Sequence, residues 1–198
     1  MTEPTAVRTL TSRFEAALVY ASQAHRGQKR KGTEIPYVSH LLSVAGIVLE
    51  EGGAEDEAIA ALLHDAVEDQ GGQARLEDIR RRFGERVATI VEGCTDADTI
   101  PKPAWRERKE RYLAHLPSAS SSVLKVSAAD KLHNARAILA DYRSHGESLW
   151  DRFNADRDSI LWYYRSLVDV FRTRGPASLA AELDRAVSEI EALVRNNR

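Results

Sequence analysis

A histidine and an aspartate stand side by side at His64-Asp65, inside the apolar run Ala60-Ala-Leu-Leu-His-Asp-Ala-Val67. An unpaired charge in such a stretch is costly, so the two side chains are expected to pair with each other or to bind a metal. Four residues further on come Glu68 and Asp69. On a continuous helix they would return to the faces of His64 and Asp65, giving one edge with an imidazole and three carboxylates. Acids so close raise each other's pKa unless a cation is near. Taken alone, Glu68 and Asp69 read equally as a polar helix end that faces water before Gly71. Two more residues offer the same chemistry. His40 opens the apolar segment Ser39-His-Leu-Leu-Ser-Val-Ala45, and Asp130 interrupts Val126-Ser-Ala-Ala-Asp-Lys-Leu-His-Asn134. Two imidazoles with two carboxylates form a mixed N/O set suited to Mn²⁺, Fe²⁺ or Zn²⁺, with positions left for water. Singly, His40 also reads as a helix-end histidine and Asp130 as an acid paired with Lys131, and spacing alone does not tie the four together.

The elements that would have to carry these groups are helices. Ala, Leu, Glu and Arg recur at helical spacing, and alternating β-branched segments are missing. Helices are expected from about Thr9 to His25, from Ser39 as N-cap to Gly52, and from Glu55 through His64 to Gly71. Further helices are expected over Leu76–Phe83, Glu85–Gly93, Trp105–Leu116, Val123–Tyr142, Asp156–Arg174 and Ser178–Arg195. Arg26–Pro36 reads as a basic loop and Thr95–Pro103 as a polar one. The expectation is an all-α fold of nine to eleven helices in one domain over residues 1–198, with a core at about 10–175 and a C-terminal helix at 178–196.

Composition fits this. Of 198 residues, 43% are hydrophobic and 29% charged, enough for an ordinary core under a well-solvated surface. Twenty-eight Lys+Arg against 30 Asp+Glu give a net charge of -2, which lacks the basic bias of a general nucleic-acid binder. With 1 cysteine, Cys94, neither an internal disulfide nor a cysteine-cluster metal site can form. No run of 18 apolar residues and no signal-peptide h-region appears, so a soluble, cytoplasmic chain with no membrane and no nucleic-acid partner is expected.

Set in order, His40, His64-Asp65 and Asp130 resemble the H…HD…D signature of the HD superfamily of metal-dependent phosphohydrolases. The flanking residues are more specific. His25-Arg-Gly-Gln-Lys-Arg-Lys-Gly32 followed by Pro36-Tyr-Val-Ser-His40 resembles the opening motif of RelA/SpoT-type alarmone hydrolase domains. Leu62-Leu-His-Asp-Ala-Val-Glu-Asp69 is similar to that family's HD-x-V-E-D segment, and Ala129-Asp-Lys-Leu-His-Asn-Ala-Arg136 to its A-D-K/R-L-x-N-x-R helix. The resemblance spans about residues 10 to 175. The chain departs from the pattern at Ala66 and Gln70, where threonines are usual, and matches it loosely around Arg157 and Trp162-Tyr163-Tyr164. At this length it resembles a stand-alone small alarmone hydrolase, similar to the metazoan SpoT homologues, without the synthetase and regulatory domains of the bifunctional enzymes.

The resemblance implies a compact multi-helix HD-domain fold in which His40, His64, Asp65 and Asp130 hold one divalent metal, Mn²⁺. It implies that Glu68 and Asp69 orient the attacking water and take its proton. Arg30 and Lys31 would lie against base and sugar, and Asn134, one turn after Asp130, would contact the nucleoside. Lys109 and Arg157, with Arg106 and Arg108, are the basic candidates for the 5′-phosphates. His133, three residues after Asp130, is a candidate partner for a metal ligand, while His25, His115, His145 and the tryptophans read as structural or exposed. The implied reaction is hydrolysis of the 3′-pyrophosphate of (p)ppGpp to GDP or GTP and pyrophosphate. The same chemistry on (p)ppApp or on the 2′-phosphate of NADPH is the near alternative, and a non-catalytic nucleotide sensor the far one. The intact acid and histidine set speaks against the sensor.

Overall fold

Caps set where the helices begin. Thr11 accepts from the backbone N–H of Arg13 at the start of α1, Ser12–Ala24. The Thr11 backbone N–H also donates to Glu55, tying α1 to α3. The computed structural model describes residues 9–96 and 103–196, and within them the chain forms ten α-helices, two 3₁₀ turns and no strand. After α1 come α2 (Val38–Glu50), α3 (Glu55–Leu63), α4 (Ala66–Gln70), α5 (Gly72–Phe83) and α6 (Glu85–Cys94). There follow α7 (Trp105–His115), α8 (Ser121–His145), α9 (Arg157–Arg174) and α10 (Ala177–Asn196). Among the described residues no helix is long and apolar enough to cross a membrane.

The all-α expectation holds, with three local corrections. The helix expected to run unbroken from Glu55 to Gly71 stops at Leu63 and restarts at Ala66. The cause is the His64 ring. Its Nδ1–H donates to the Ala61 carbonyl at 2.8 Å, the acceptor that the Asp65 N–H would use in a continuous helix. Asp65 sits at φ -94°, ψ -5°, at the edge of the right-handed helical region. Ser39, expected as an N-cap, lies instead inside the first turn of α2, whose cap is Tyr37 with no side-chain bond. Finally, α5 begins at Gly72 rather than Leu76, and α8 reaches from Ser121 to His145 because Ser120 accepts from the Val123 N–H. Of the expected loop Thr95–Pro103, residues 97–102 lie outside the described part.

Helix α8 is the axis. It packs against α2, α3, α6, α9 and α10, and its first half is buried through Val126, Ala128, Ala129 and Leu132. Leu41, Ile59, Leu62, Leu63, Leu167 and Phe171 close around it in one apolar cluster. A second cluster joins the far half of α8 (Ile138, Leu139, Tyr142) to Leu149, Trp150, Ile160, Ile190 and Val194. Trp105 and Tyr164 pack against both clusters. Each large apolar side chain buried this way contributes roughly 1.5–3 kcal/mol of transfer free energy. Asp130 lies in the first cluster's stretch of α8, so the acid is held on a backbone that the core immobilises.

The basic loop is closed rather than open. Lys29 and Pro36 form an isolated bridge, the Arg30 N–H donates to the Ile35 carbonyl and the Tyr37 N–H to the Gln28 carbonyl. Gly32 has φ +72°, and a Cβ there would strike the Arg152 side chain at 2.5 Å. Glycine is therefore required where this loop passes the 3₁₀ turn Gly146–Arg152.

Candidate active site

Three elements meet at one point: the first turn of α2, the α3–α4 break and the middle of α8. His40 Nε2 lies 3.3 Å from His64 Nε2, 3.4 Å from Asp65 Oδ2 and 3.2 Å from Asp130 Oδ1. His64 Nε2 lies 3.0 Å from Asp65 Oδ2 and 3.6 Å from Asp130 Oδ1. His40 is fully buried and His64 and Asp130 nearly so, while Asp65 keeps 20% of its side chain exposed. His40, His64 and Asp65 on their own satisfy the spacing of a metal-binding group, and Asp130 approaches the same two nitrogens.

The donor chemistry fits a cation. His64 uses Nδ1–H on the Ala61 carbonyl, which leaves Nε2 as the inward ligand atom. Burial works against a charge on His64, yet Asp65 and Asp130 prevail and push its pKa well above the ordinary imidazole value. Burial likewise opposes ionisation of the two acids. Even so, His64 holds Asp65, and Lys131 together with the two histidines holds Asp130, well below the usual carboxylate range. Two ionised carboxylates beside two facing imidazole nitrogens make a mixed N/O pocket of the kind that holds a divalent cation.

The acids of α4 flank this centre. Glu68 Oε1 lies 3.7 Å from the Arg108 guanidinium. Arg108 also holds Asp96 at 2.6 Å, and Lys109 bonds the other Asp96 oxygen. These cations hold the Asp96 carboxyl down at about 2 against the opposing effect of burial. Asp69 accepts from Gln28 at 2.9 Å; Gln28 in turn accepts from Gln70 and contacts the buried His25 ring. Tyr37, stacked on His25, donates to Asp65 Oδ2 at 2.5 Å. Asp65 and Asp69 are thus steadied from the loop that precedes α2.

Beside the centre opens a cleft of about 560 Å³. Arg30, Lys31, Lys109 and Asn134 line it, as do Lys131, Arg152, His133 and the aromatic rings of Tyr37, Trp105, Tyr163 and Tyr164. Asn134 Nδ2 donates to Asp130 Oδ1 at 2.5 Å and its Oδ1 accepts from Arg30 at 2.7 Å, so metal ligand, asparagine and loop arginine form one chain. Lys131 bonds Asp130 Oδ2, and Lys31 bonds Asn154. Of the basic candidates on α7, Lys109 faces the cleft, Arg108 turns to Glu68 and Asp96, and Arg106 stacks on Trp162. Arg157 is not on the cleft wall; it pairs with Glu147 and Asp158. Spacing and residue type alone do not mark Tyr37 as an Asp65 partner, Asp96 as part of the site, or Lys131 and Arg152 as cleft residues. Asp96 pairs with Arg108 and Lys109, two cations that the sequence offers only as phosphate candidates.

The HD-domain family model matches residues 17–161, a span that contains all four converging side chains. The chain belongs to the HD-domain family. This HD domain is 43% identical over 132 residues to a guanosine-3′,5′-bis(diphosphate) 3′-pyrophosphohydrolase of Xenopus tropicalis, covering 63% of this chain and 71% of the relative. To the Drosophila melanogaster enzyme of the same name it is 33% identical over 177 residues, covering 88% of this chain and 92% of that one. Among solved structures it is similar to one described as a metazoan ortholog of SpoT that hydrolyzes ppGpp and plays a role in starvation responses. The TM-score is 0.75 at 29% identity, covering 96% of this chain and 98% of that one. The resemblance to RelA/SpoT-type HD hydrolases is borne out, and the HD dipeptide sits at a helix break rather than within a helix.

Proposed function

We propose that this HD domain is a (p)ppGpp 3′-pyrophosphohydrolase that works with one Mn²⁺ held by His40, His64, Asp65 and Asp130. The observation that carries the reading is the meeting of those four side chains next to a cleft lined by five cations, Arg30, Lys31, Lys109, Lys131 and Arg152. The activity is that of the similar enzymes. A mixed N/O donor set suits Mn²⁺. When bound, the cation makes a water more acidic and polarises the phosphate under attack.

The chain's own residues do the rest. Glu68 accepts the proton of the attacking water on a carboxylate oxygen, and Asp69, fixed by Gln28, orients that water. As the water oxygen bonds to phosphorus, the bond from that phosphorus to the 3′-oxygen breaks. The 3′-oxygen takes a proton from solvent water as it leaves to become the hydroxyl, Glu68 returns its proton to solvent, and pyrophosphate is released. Lys131 neutralises charge on the 3′-diphosphate from the cleft wall. Arg30 offers a flat guanidinium to the base, with Tyr37 beneath it at 5.7 Å, and Asn134 contacts the nucleoside. Lys31 lies with Arg30 toward base and sugar, and Arg152 lines the same cleft. We assign the 5′-phosphates to Lys109 first, and to Arg157 only if it exchanges its present acid partners for substrate. Residues 1–198 act as one hydrolase domain in the cytoplasm, on a small nucleotide.

A substrate panel tests this. With Mn²⁺ and equal concentrations of ppGpp, pppGpp, ppApp and NADPH, the guanosine tetra- and pentaphosphates are expected to be cleaved fastest, releasing pyrophosphate. Phosphate release from NADPH at a higher kcat/KM would move the substrate assignment. Binding of ppGpp without product would replace the enzyme by a sensor.

A further inference from the structure

His40 Nδ1 lies 2.8 Å from His133 Nδ1, with the ring centroids 4.8 Å apart. Two ring nitrogens this close share one proton, so one donates and the other accepts. The far side of the His40 ring decides which. His40 Nε2 faces His64, Asp65 and Asp130 within 3.4 Å, and a ligand nitrogen there must present its lone pair. A neutral His40 therefore carries its proton on Nδ1 and donates it to His133. His133 must then be bare at Nδ1 and protonated at Nε2. His133 also lines the nucleotide cleft, next in the chain to Asn134. Its Nε2–H is then the donor that this cleft-lining residue has left to offer a nucleotide.

A metal-ligating histidine ordinarily gives its second N–H to a carboxylate or a carbonyl. His64 follows this habit, through Ala61. His40 does not. A neutral imidazole orients the ligand without adding a third negative charge beside Asp65 and Asp130. We propose that His133 is a positioning residue that locks His40 in its metal-ligating tautomer and, through the same lock, presents an N–H donor to the nucleotide. The cleft half of this inference rests on the hydrolase reading above; the metal half stands without it.

The test uses the full chain stripped with EDTA and titrated with Mn²⁺, free ion being followed by electron paramagnetic resonance. His133→Ala is expected to weaken Mn²⁺ binding about 10- to 100-fold, the usual effect of removing a ligand's partner. His133→Asn places an amide oxygen where Nδ1 accepts, so it recovers most of that affinity. Because it lacks the Nε2 donor, its KM for ppGpp stays raised. If His133→Ala fails to fold, the split in His133→Asn between restored metal affinity and raised KM still decides. Mn²⁺ affinity in His133→Ala within twofold of the unsubstituted chain overturns the proposal, as does a His133→Asn variant that binds metal no better than the alanine. An unsubstituted chain that binds Mn²⁺ but leaves ppGpp intact sinks the hydrolase reading alone.

Discussion

Asp65→Ala is expected to lose metal and turnover together, with kcat/KM falling by at least about a thousandfold, or roughly 4 kcal/mol of transition-state stabilisation. Asp65 Oδ2 is within 3.4 Å of both inward imidazole nitrogens and also accepts the Tyr37 hydroxyl. Removing it takes away a ligand and half of the negative charge that makes the centre attract a cation. Metal content by elemental analysis and pyrophosphate release by a coupled assay read the two effects separately. Asp65→Asn, which keeps the Tyr37 partner but not the charge, should fold like the parent and still bind metal poorly. Thermal unfolding of both variants shows whether any loss is only a loss of fold.

Glu68→Gln separates metal from chemistry. Its carboxylate is not among the four ligands, and its neighbour Arg108 remains paired with Asp96 at 2.6 Å when Glu68 is neutralised. The fold and about one metal per chain should therefore survive. Loss of the proton acceptor should lower kcat by about 10²- to 10⁴-fold, with little change in KM. Full activity in Glu68→Gln would transfer the base role to Asp69 or to solvent.

The contrast between these residues shows what could be read from the chain. His64, Asp65 and Asp130 stood out because each interrupts an apolar run, and burying an ionisable group demands a reason that one sequence can reveal. Helix positions followed largely from spacing, as with the start of α9 at its Asp156 cap, whereas the start of α8, set by the Ser120 cap, did not. The break after Leu63 did not, because it depends on the His64 ring taking the Ala61 carbonyl, a choice made by tertiary packing rather than propensity. The cleft was the least legible part. Lys131 could be read only as a partner of Asp130, and nothing in the sequence singles out Arg152. That both face the same space as Arg30 depends on how α8 and the 3₁₀ turn dock on the basic loop. Arg157 illustrates the reverse, a cation of the right type whose nearest partners are Glu147 and Asp158.

The most direct measurement is a Mn²⁺ titration of the chelator-stripped protein in which bound metal and ppGpp hydrolysis are followed in the same samples. The account predicts that activity rises in proportion to occupancy and levels off at about one ion per chain. Undiminished pyrophosphate release from the stripped protein, or saturation with metal while ppGpp stays whole, would contradict it.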